Sequence, residues 1–185
     1  MSDAAPNSSM PENDRQKLLK GEAIIKTLFL DDGIIDTSGS IFVAAPPETV
    51  WSVLTDYDHL SESIPKVVES KVIEEKGDEK ILEQTGKSGI LFFEKSVHIV
   101  LRVKEIFPRS LTFNIIEGDF KIYRGQWKFE PSDSDDGTFL SWKAVLKPDF
   151  FAPPLLVSFV QHQDLPTILE TIKNLAETRK PNPEI

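Results

Sequence analysis

The stretch FEKSVHIVLRVKEIF, residues 93–107, decides the fold class because apolar and polar side chains alternate along most of its length. One face carries Phe93, Val97, Ile99, Leu101, Val103 and Phe107, and the other carries Glu94, Ser96, His98, Arg102 and Lys104. A period of two predicts a β-strand with one face on a core. Because the second face is polar, the pattern favours an antiparallel sheet with one side in solvent.

The same alternation occurs on both sides of this strand. Upstream, the turn signal Gly77-Asp78 separates Val67–Lys76 from Lys80–Thr85 and predicts a β-hairpin. Downstream, the apolar positions that share the inward face are Leu111, Phe113, Ile115, Tyr123, Trp127, Phe129, Leu140, Trp142, Ala144 and Leu146. These segments predict consecutive antiparallel strands with aromatic side chains on the core face.

The end of the chain changes to a helical period. Its apolar positions are Leu165, Ile168, Leu169, Ile172, Leu175 and Ala176. This spacing predicts an amphipathic helix, with Asp164 as its N-cap and Pro166 in its first turn. Nothing else in the chain is left to bury the apolar stripe, so we expect this helix to lie on the sheet.

Two shorter helices are expected after the first core strand, which ends near Val43. Pro46-Pro47 interrupts the strand, and apolar residues at helical spacing follow from Val50 to Tyr57. The predicted fold is α+β, a curved antiparallel sheet around a long C-terminal helix. We expect a disordered tail at residues 1–20, a single ligand-binding domain at 21–180 and a frayed end at 181–185.

The composition excludes several classes of function. A net charge of -9 argues against nucleic acid as a partner. The chain has no cysteine and three histidines, so we expect no metal and no cofactor. Without a signal-like N-terminus or a run of 18 apolar residues, a cytoplasmic protein is predicted, and its oligomeric state stays open.

Residues 41–51, IFVAAPPETVW, and 54–65, LTDYDHLSESIP, carry a family resemblance. They resemble the opening of the START/Bet v 1-like superfamily, which has the helix-grip fold. Residues 117–120 and 125–127 are similar to plant and cyanobacterial members of its polyketide cyclase/dehydrase and coenzyme Q-binding branch. The resemblance implies a cavity for lipids, quinones, isoprenoids or polyketides between helix and sheet, and it supplies no catalytic residue.

The candidate site is the inward face together with the closing helix. The residues predicted to line a cavity are Trp51, Phe93, Leu101, Phe113, Tyr123, Trp127, Trp142, Leu156, Phe159, Leu165, Ile168, Leu169 and Ile172. Tyr123, Trp127 and Trp142 combine an apolar ring with a polar atom, so they either fill the core or orient a ligand's carbonyl or hydroxyl group.

Two apolar stretches are expected at the mouth of the cavity. Ile90, Leu91 and Phe92 form one of them, and Phe150 and Phe151 begin the other. Exposed apolar patches mark partner, membrane or ligand contacts, so we hypothesise a transient contact with a membrane or lipid donor. The alternative is that the two stretches pack on each other.

Three short motifs have simpler explanations than a reactive site. Residues 86–88, GKS, lack the first glycine and the following helix of a phosphate-binding loop. Residues 56–59, DYDH, are interpreted as a polar helix end and not as a cation site. His162 and Asp164 form a conceivable dyad, but the sequence places no nucleophile beside them.

The sequence therefore favours a non-enzymatic binder or carrier of an apolar small molecule. The first alternative is a cyclase or dehydratase for a polyketide-like substrate, which requires an acid or base inside the cavity. The second is a protein-interaction module with a filled core.

Overall fold

The protein is described from a computed structural model that covers residues 11–90, 93–133, 136–151 and 160–179. Its centre is one antiparallel sheet of eight strands in the order β1-β2-β8-β7-β6-β5-β4-β3. The strands are β1 Ile24–Phe29, β2 Ile35–Val43, β3 Val67–Lys76, β4 Glu79–Ile90, β5 Phe93–Ile106, β6 Ser110–Gly118, β7 Phe120–Pro131 and β8 Thr138–Pro148. The α+β helix-grip prediction is confirmed.

Four α-helices accompany the sheet in the described part of the chain. They are α1 Glu12–Leu19, α2 Pro47–Leu54, α3 Leu60–Ser63 and α4 Leu165–Thr178. The segment with α2 and α3 leads from β2, near one edge of the sheet, to β3 at the opposite edge. Pro47 lies in the first turn of α2, where a missing N–H costs no hydrogen bond.

The long helix α4 lies on the concave face of the sheet, as its apolar stripe predicts. Leu169, Ile172 and Ala176 are buried there. Gly39 on β2 allows the close approach, because a Cβ atom there would lie 2.9 Å from Cδ1 of Leu169. The Nη1 atom of Arg179 donates to the carbonyl oxygen of Ser52 at 2.9 Å, which fixes the end of α4 to α2.

Asp164 differs from its expected role as a helix cap. It occupies the boundary position before α4, but its side chain makes no capping hydrogen bond. The carboxylate instead lies 3.4 Å from Nζ of Lys66, and the side chain is almost fully buried. The ion pair therefore links the start of α4 to the loop before β3.

Part of the predicted disordered tail, residues 1–20, is helical, and the prediction is corrected there. Residues 12–19 form α1, and Leu18 is completely buried, while residues 1–10 lie outside the described part. The guanidinium of Arg15 lies 4.5 Å from the centroid of the Phe139 ring, and Nζ of Lys26 lies 2.7 Å from the Asp14 carboxylate. The helix was missed because its sequence is mostly polar and its order comes from these contacts with the convex face.

Replacing Leu18 with alanine tests the role of α1. We expect Leu18→Ala to lower the free energy of unfolding by about 2–5 kcal/mol, because the change leaves a cavity in a packed site. Leu19→Ala is the matched control, since Leu19 is 45% exposed. Chemical denaturation measures both variants, and equal losses would show that α1 does not pack as described.

The inward face follows the predicted alternation at most positions. Leu101, Val103, Leu111, Phe113 and Leu140 are buried. Phe107 is an exception, since β5 ends at Ile106 and the Phe107 side chain is 62% exposed. Its ring still contacts Trp51 edge-on at 5.5 Å.

Candidate binding cavity

A cavity of about 250 Å³ lies between the concave face of the sheet and α4. Its described lining residues are Ile25, Leu54, Tyr57, Leu60, Ile64, Val67, Leu82, Gln84, Leu101, Val103, Leu111, Phe113, Tyr123, Trp127, Trp142, Leu165, Ile168, Leu169 and Ile172. The volume lies just below the usual range of about 300–1,000 Å³ for ligand pockets. It suits a small molecule or one segment of a longer one.

The lining is apolar and uncharged. Among its described residues there is no Asp, Glu, Lys, Arg or His. An ion placed in such a site without a partner would lose its hydration without compensation. The cavity therefore favours neutral occupants.

Tyr123 places a hydroxyl group within this apolar lining. Burial raises its pKa to about 12, and no hydrogen bond to another described residue contributes to that shift. The ring packs between Phe113 at 5.1 Å and Phe120 at 5.3 Å. The phenol remains protonated at neutral pH, so it can donate a hydrogen bond but cannot act as a base.

Trp127 and Trp142 form the neighbouring part of the wall. They are direct cross-strand partners on β7 and β8, and their ring centroids are 6.0 Å apart. Cross-strand aromatic pairs stabilise a sheet. Trp127 is only partly buried although it lies against the core, which is the expected state of a side chain that borders a cavity.

Two further polar side chains in the lining already have partners. The Tyr57 hydroxyl donates to the Glu105 carboxylate at 2.8 Å, and burial together with this contact raises the pKa of Tyr57. Nε2 of Gln84 donates to Oγ of Ser70 at 3.0 Å. These contacts stabilise the walls, whereas no hydrogen bond within the described residues engages the Tyr123 hydroxyl or the indole N–H groups of Trp127 and Trp142.

The structure brings most of the predicted cavity residues together. The predicted residues that line the cavity are Leu101, Phe113, Tyr123, Trp127, Trp142, Leu165, Ile168, Leu169 and Ile172. Leu156 and Phe159 lie outside the described residues, and only the backbone of Phe93 is described. Their role in ligand binding stays a prediction.

Trp51 does not belong to the described lining. Its ring lies 5.5 Å from Phe107 and 5.2 Å from Phe129, in a packed cluster beneath α2. Trp51 flanks the apolar stripe of α2, and its position on the helix turns the indole toward these two rings. It is part of the core and not of the cavity wall.

Several lining residues were not among the predicted ones. They are Ile25, Leu54, Tyr57, Leu60, Ile64, Val67, Leu82, Gln84, Val103 and Leu111. The alternation had placed Val103 and Leu111 on the inward face of the sheet, and the helical spacing had placed Leu54 and Tyr57 on the apolar stripe, so a signal for these four residues was present. Gln84 had no distinguishing signal, because one amide within a strand does not indicate which face it occupies.

The predicted mouth is described only in part. Leu91 and Phe92 lie outside the described residues, and for Ile90 only the backbone is described. The Phe150 ring lies 6.0 Å from Phe120 and 4.7 Å from the Lys95 ammonium, while the Phe151 side chain is 83% exposed.

A second exposed apolar segment lies at the same end of the sheet. Leu28, Phe29 and Leu30 are each at least half exposed. Phe29 pairs with Ile35, which in turn pairs with Leu146 near the end of β8. The segment lies at the end of the edge strand β1, so its exposure could not be inferred from alternation alone.

Two of the three short motifs have structural roles. Gly86, Lys87 and Ser88 lie within the strand β4, whereas a phosphate-binding loop would lead into a helix. Asp58 accepts a hydrogen bond from the backbone N–H of Val72 at 2.8 Å. Asp56 binds Nδ1 of His59 at 2.7 Å, and this contact raises the pKa of His59.

No metal site emerges from the residues that the structure describes. No group of three or more histidine or acidic side chains is placed to hold an ion there. Among the described helices, none is long and apolar enough to cross a membrane.

The chain belongs to a family that is described as polyketide cyclase / dehydrase and lipid transport. The family match covers residues 43–173, which include the cavity walls from α2 to α4. A comparison with curated proteins gives no match.

Solved structures share this fold at low sequence identity. TTHA0849 from Thermus thermophilus is 20% identical to this chain with a TM-score of 0.63, and the match covers 76% of this chain and 96% of that protein. The Zhui aromatase/cyclase from a Streptomyces species is 16% identical with a TM-score of 0.65, and the match covers 78% of this chain and 94% of that enzyme. The STAR-related lipid transfer protein from Xanthomonas axonopodis is 14% identical with a TM-score of 0.59, and the match covers 82% of this chain and 98% of that protein.

Proposed function

We propose that this chain binds an uncharged apolar small molecule in the cavity and carries it without chemical change. The observation that supports the proposal most is the lining, which is apolar and without a charged side chain among the described residues. Burying each CH₂ group of a ligand stabilises the complex by about 0.8 kcal/mol. Few polar contacts are therefore needed for affinity.

Tyr123 gives the ligand an orientation in this proposal. Its protonated hydroxyl is a hydrogen-bond donor within an apolar wall, so it suits a carbonyl or hydroxyl oxygen. Quinones and isoprenoids with an oxygen function fit this description because they are neutral and largely apolar. This preference agrees with the coenzyme Q-binding branch that the sequence resembles.

A cyclase or dehydratase is the alternative that the aromatase/cyclase neighbour suggests. Such an enzyme needs a group in the cavity that exchanges a proton near neutral pH. The titratable side chains in the described lining are Tyr57 and Tyr123, and the pKa of each is raised. The binding function is therefore the better supported of the two.

The ligand is expected to co-purify with the protein. Native mass spectrometry before and after organic extraction should show a mass that disappears and a neutral extracted compound. The proposal predicts a compound with an apolar body and one or two oxygen atoms. A fatty acid or another charged compound would contradict it, as would an empty protein that binds no neutral apolar dye such as Nile red.

The exposed apolar end of the sheet is proposed to contact the lipid donor. Phe151 and the segment Leu28–Leu30 expose large side chains where β1 and β8 end. Inserting one such side chain into lipid stabilises the contact by about 1.5–3 kcal/mol. The contact is weak and reversible, as a carrier requires.

Replacing Phe151 with serine tests this contact. We expect Phe151→Ser to slow the transfer of a neutral fluorescent lipid between neutral vesicles about tenfold, since roughly 1.4 kcal/mol of contact energy corresponds to tenfold. Ile73→Ser is the control, because Ile73 is half exposed on the edge strand β3. Equal transfer rates for the two variants, with unchanged thermal unfolding, would remove Phe151 from the proposed contact.

A further inference from the structure

The convex face of the sheet carries a groove on the side opposite the apolar cavity. A hollow of about 270 Å³ lies between α1 and the strands β1, β2, β8 and β7. A second hollow of about 360 Å³ crosses β6, β7 and β8. Gln126 and Lys143 line both hollows, so the two form one continuous groove.

Three cations surround Gln126 in this groove. Arg124, Gln126 and Lys128 project from the same face of β7, about 7 Å apart along the strand. Lys143 is the direct cross-strand partner of Gln126 on β8. Arg124, Lys128 and Lys143 therefore form a triangle whose centre is an amide side chain.

The cross-strand partners of these β7 residues on β6 are neutral hydrogen-bonding groups. Arg124 pairs with Asn114, Gln126 pairs with Thr112, and Lys128 pairs with Ser110. On the other side, Lys128 pairs with Ser141. No carboxylate therefore lies directly across the sheet from Arg124 or Lys128, and Glu130 follows Lys128 on the same face of β7.

Several cations on the convex face, including Lys143 of the groove, are paired with an acid. Lys143 lies 3.4 Å from Asp36, Lys26 lies 2.7 Å from Asp14, and Arg102 lies 3.3 Å from Glu79. Within the described ranges of the chain, Arg124 and Lys128 make no ion pair.

Three acids lie near the groove. Asp14 and Glu130 line the hollow beside α1, Asp14 is paired with Lys26, and Asp36 is paired with Lys143. The hollow across β6, β7 and β8 is lined by Arg124 and Lys143 and by no carboxylate among its described residues. The two groove cations without an ion pair among the described residues, Arg124 and Lys128, both lie on β7.

We propose that this groove, defined by Arg124, Gln126, Lys128 and Lys143, is a second binding site that takes a phosphate monoester. An arginine fork binds two phosphate oxygens at once, lysine adds a point charge, and the amide and hydroxyl groups donate to the remaining oxygens. A monoester carries nearly two negative charges at pH 7, which matches a site with several cations. The source is either a soluble phosphorylated metabolite or the headgroup of a lipid.

The proposal does not depend on the apolar cavity, because the sheet separates the two sites. The groove side chains point away from the concave face, and Arg124, Lys128 and Lys143 are exposed. Binding of a neutral apolar dye in the cavity should therefore be unchanged by substitutions in the groove. This readout distinguishes failure of the groove proposal from failure of the cavity proposal.

The test compares two double variants that each remove two positive charges from the convex face. Arg124→Gln/Lys128→Gln removes the unpaired cations of the groove. Arg102→Gln/Lys104→Gln removes two cations that lie within 4 Å of Glu79 and Asp78, at 3.3 and 3.8 Å. Amide NMR titration with glycerol 3-phosphate at low ionic strength measures the soluble arm, and flotation with vesicles that contain phosphatidic acid measures the lipid arm.

We expect the groove variant to weaken binding about tenfold or more and the control variant to weaken it less than about twofold. We also expect the wild-type affinity to rise as pH increases through about 6, where the second phosphate proton is lost. Binding in the soluble arm identifies a free phosphate ester, and binding in the vesicle arm alone identifies a headgroup. Equal weakening by both variants, or no binding in either arm, would overturn the proposal.

Discussion

Replacing Ile168 with tryptophan is expected to reduce the affinity of the cavity for a neutral apolar ligand by at least about 100-fold, which corresponds to roughly 2.7 kcal/mol. Ile168 lines the cavity from α4 and is only partly buried, so an indole there has space to occupy. A ligand would have to displace this ring from the same 250 Å³ of space. Because the new side chain fills an existing hollow, we expect the melting temperature to stay constant or to rise.

Glu170→Trp is the matched control for this experiment. Glu170 lies two residues further along α4 on its exposed side, so the same indole is added without entering the cavity. Titration with Nile red measures binding, and thermal unfolding shows that each variant is folded. If Ile168→Trp binds the dye as well as Glu170→Trp does, the dye binds elsewhere and the cavity is not the binding site.

The sheet and α4 could be predicted from the sequence because their stability comes from regular patterns. Leu101 and Val103 alternate with Arg102 and Lys104, and this period is specific to a strand with one buried face. The helix α1 could not be predicted in this way. Only Leu18 of α1 is buried, and part of what holds the helix lies far along the chain, such as Phe139 of β8 against Arg15.

The cavity residues that follow from a regular sequence pattern could be predicted, and those that depend on tertiary contacts could not. Tyr123, Trp127 and Trp142 were found because the inward face of each strand follows from alternation. Trp51 was assigned to the cavity because its place on α2 does not show which end of the core it meets. Whether aromatic side chains fill a core or border a hollow depends on the distance between α4 and the sheet. At Gly39 the absence of a side chain leaves room for Leu169 of α4 against β2.

Gly125 controls another close approach, and replacing it with alanine is expected to lower the free energy of unfolding by about 3 kcal/mol or more. A Cβ atom at this position would collide with the carbonyl oxygen of Lys143 and would lie 2.9 Å from Cα of Ala144. Both atoms belong to the backbone of β8, so they cannot move without disturbing the pairing of β7 with β8. Cζ of Phe113, a cavity residue, would lie 2.7 Å away.

Gly86→Ala is the control for Gly125→Ala, because both glycines lie within strands of the same sheet. A Cβ atom at Gly86 meets only the carbonyl oxygen of Lys66 at 3.5 Å, which is an ordinary contact. We therefore expect Gly86→Ala to change the unfolding free energy by less than about 1 kcal/mol, since alanine suits a strand slightly better than glycine. Urea denaturation of both variants measures the difference. Similar stabilities would mean that β7 and β8 separate enough to accept the methyl group, and the wall that holds Trp127 and Trp142 would then be less rigid than the contacts indicate.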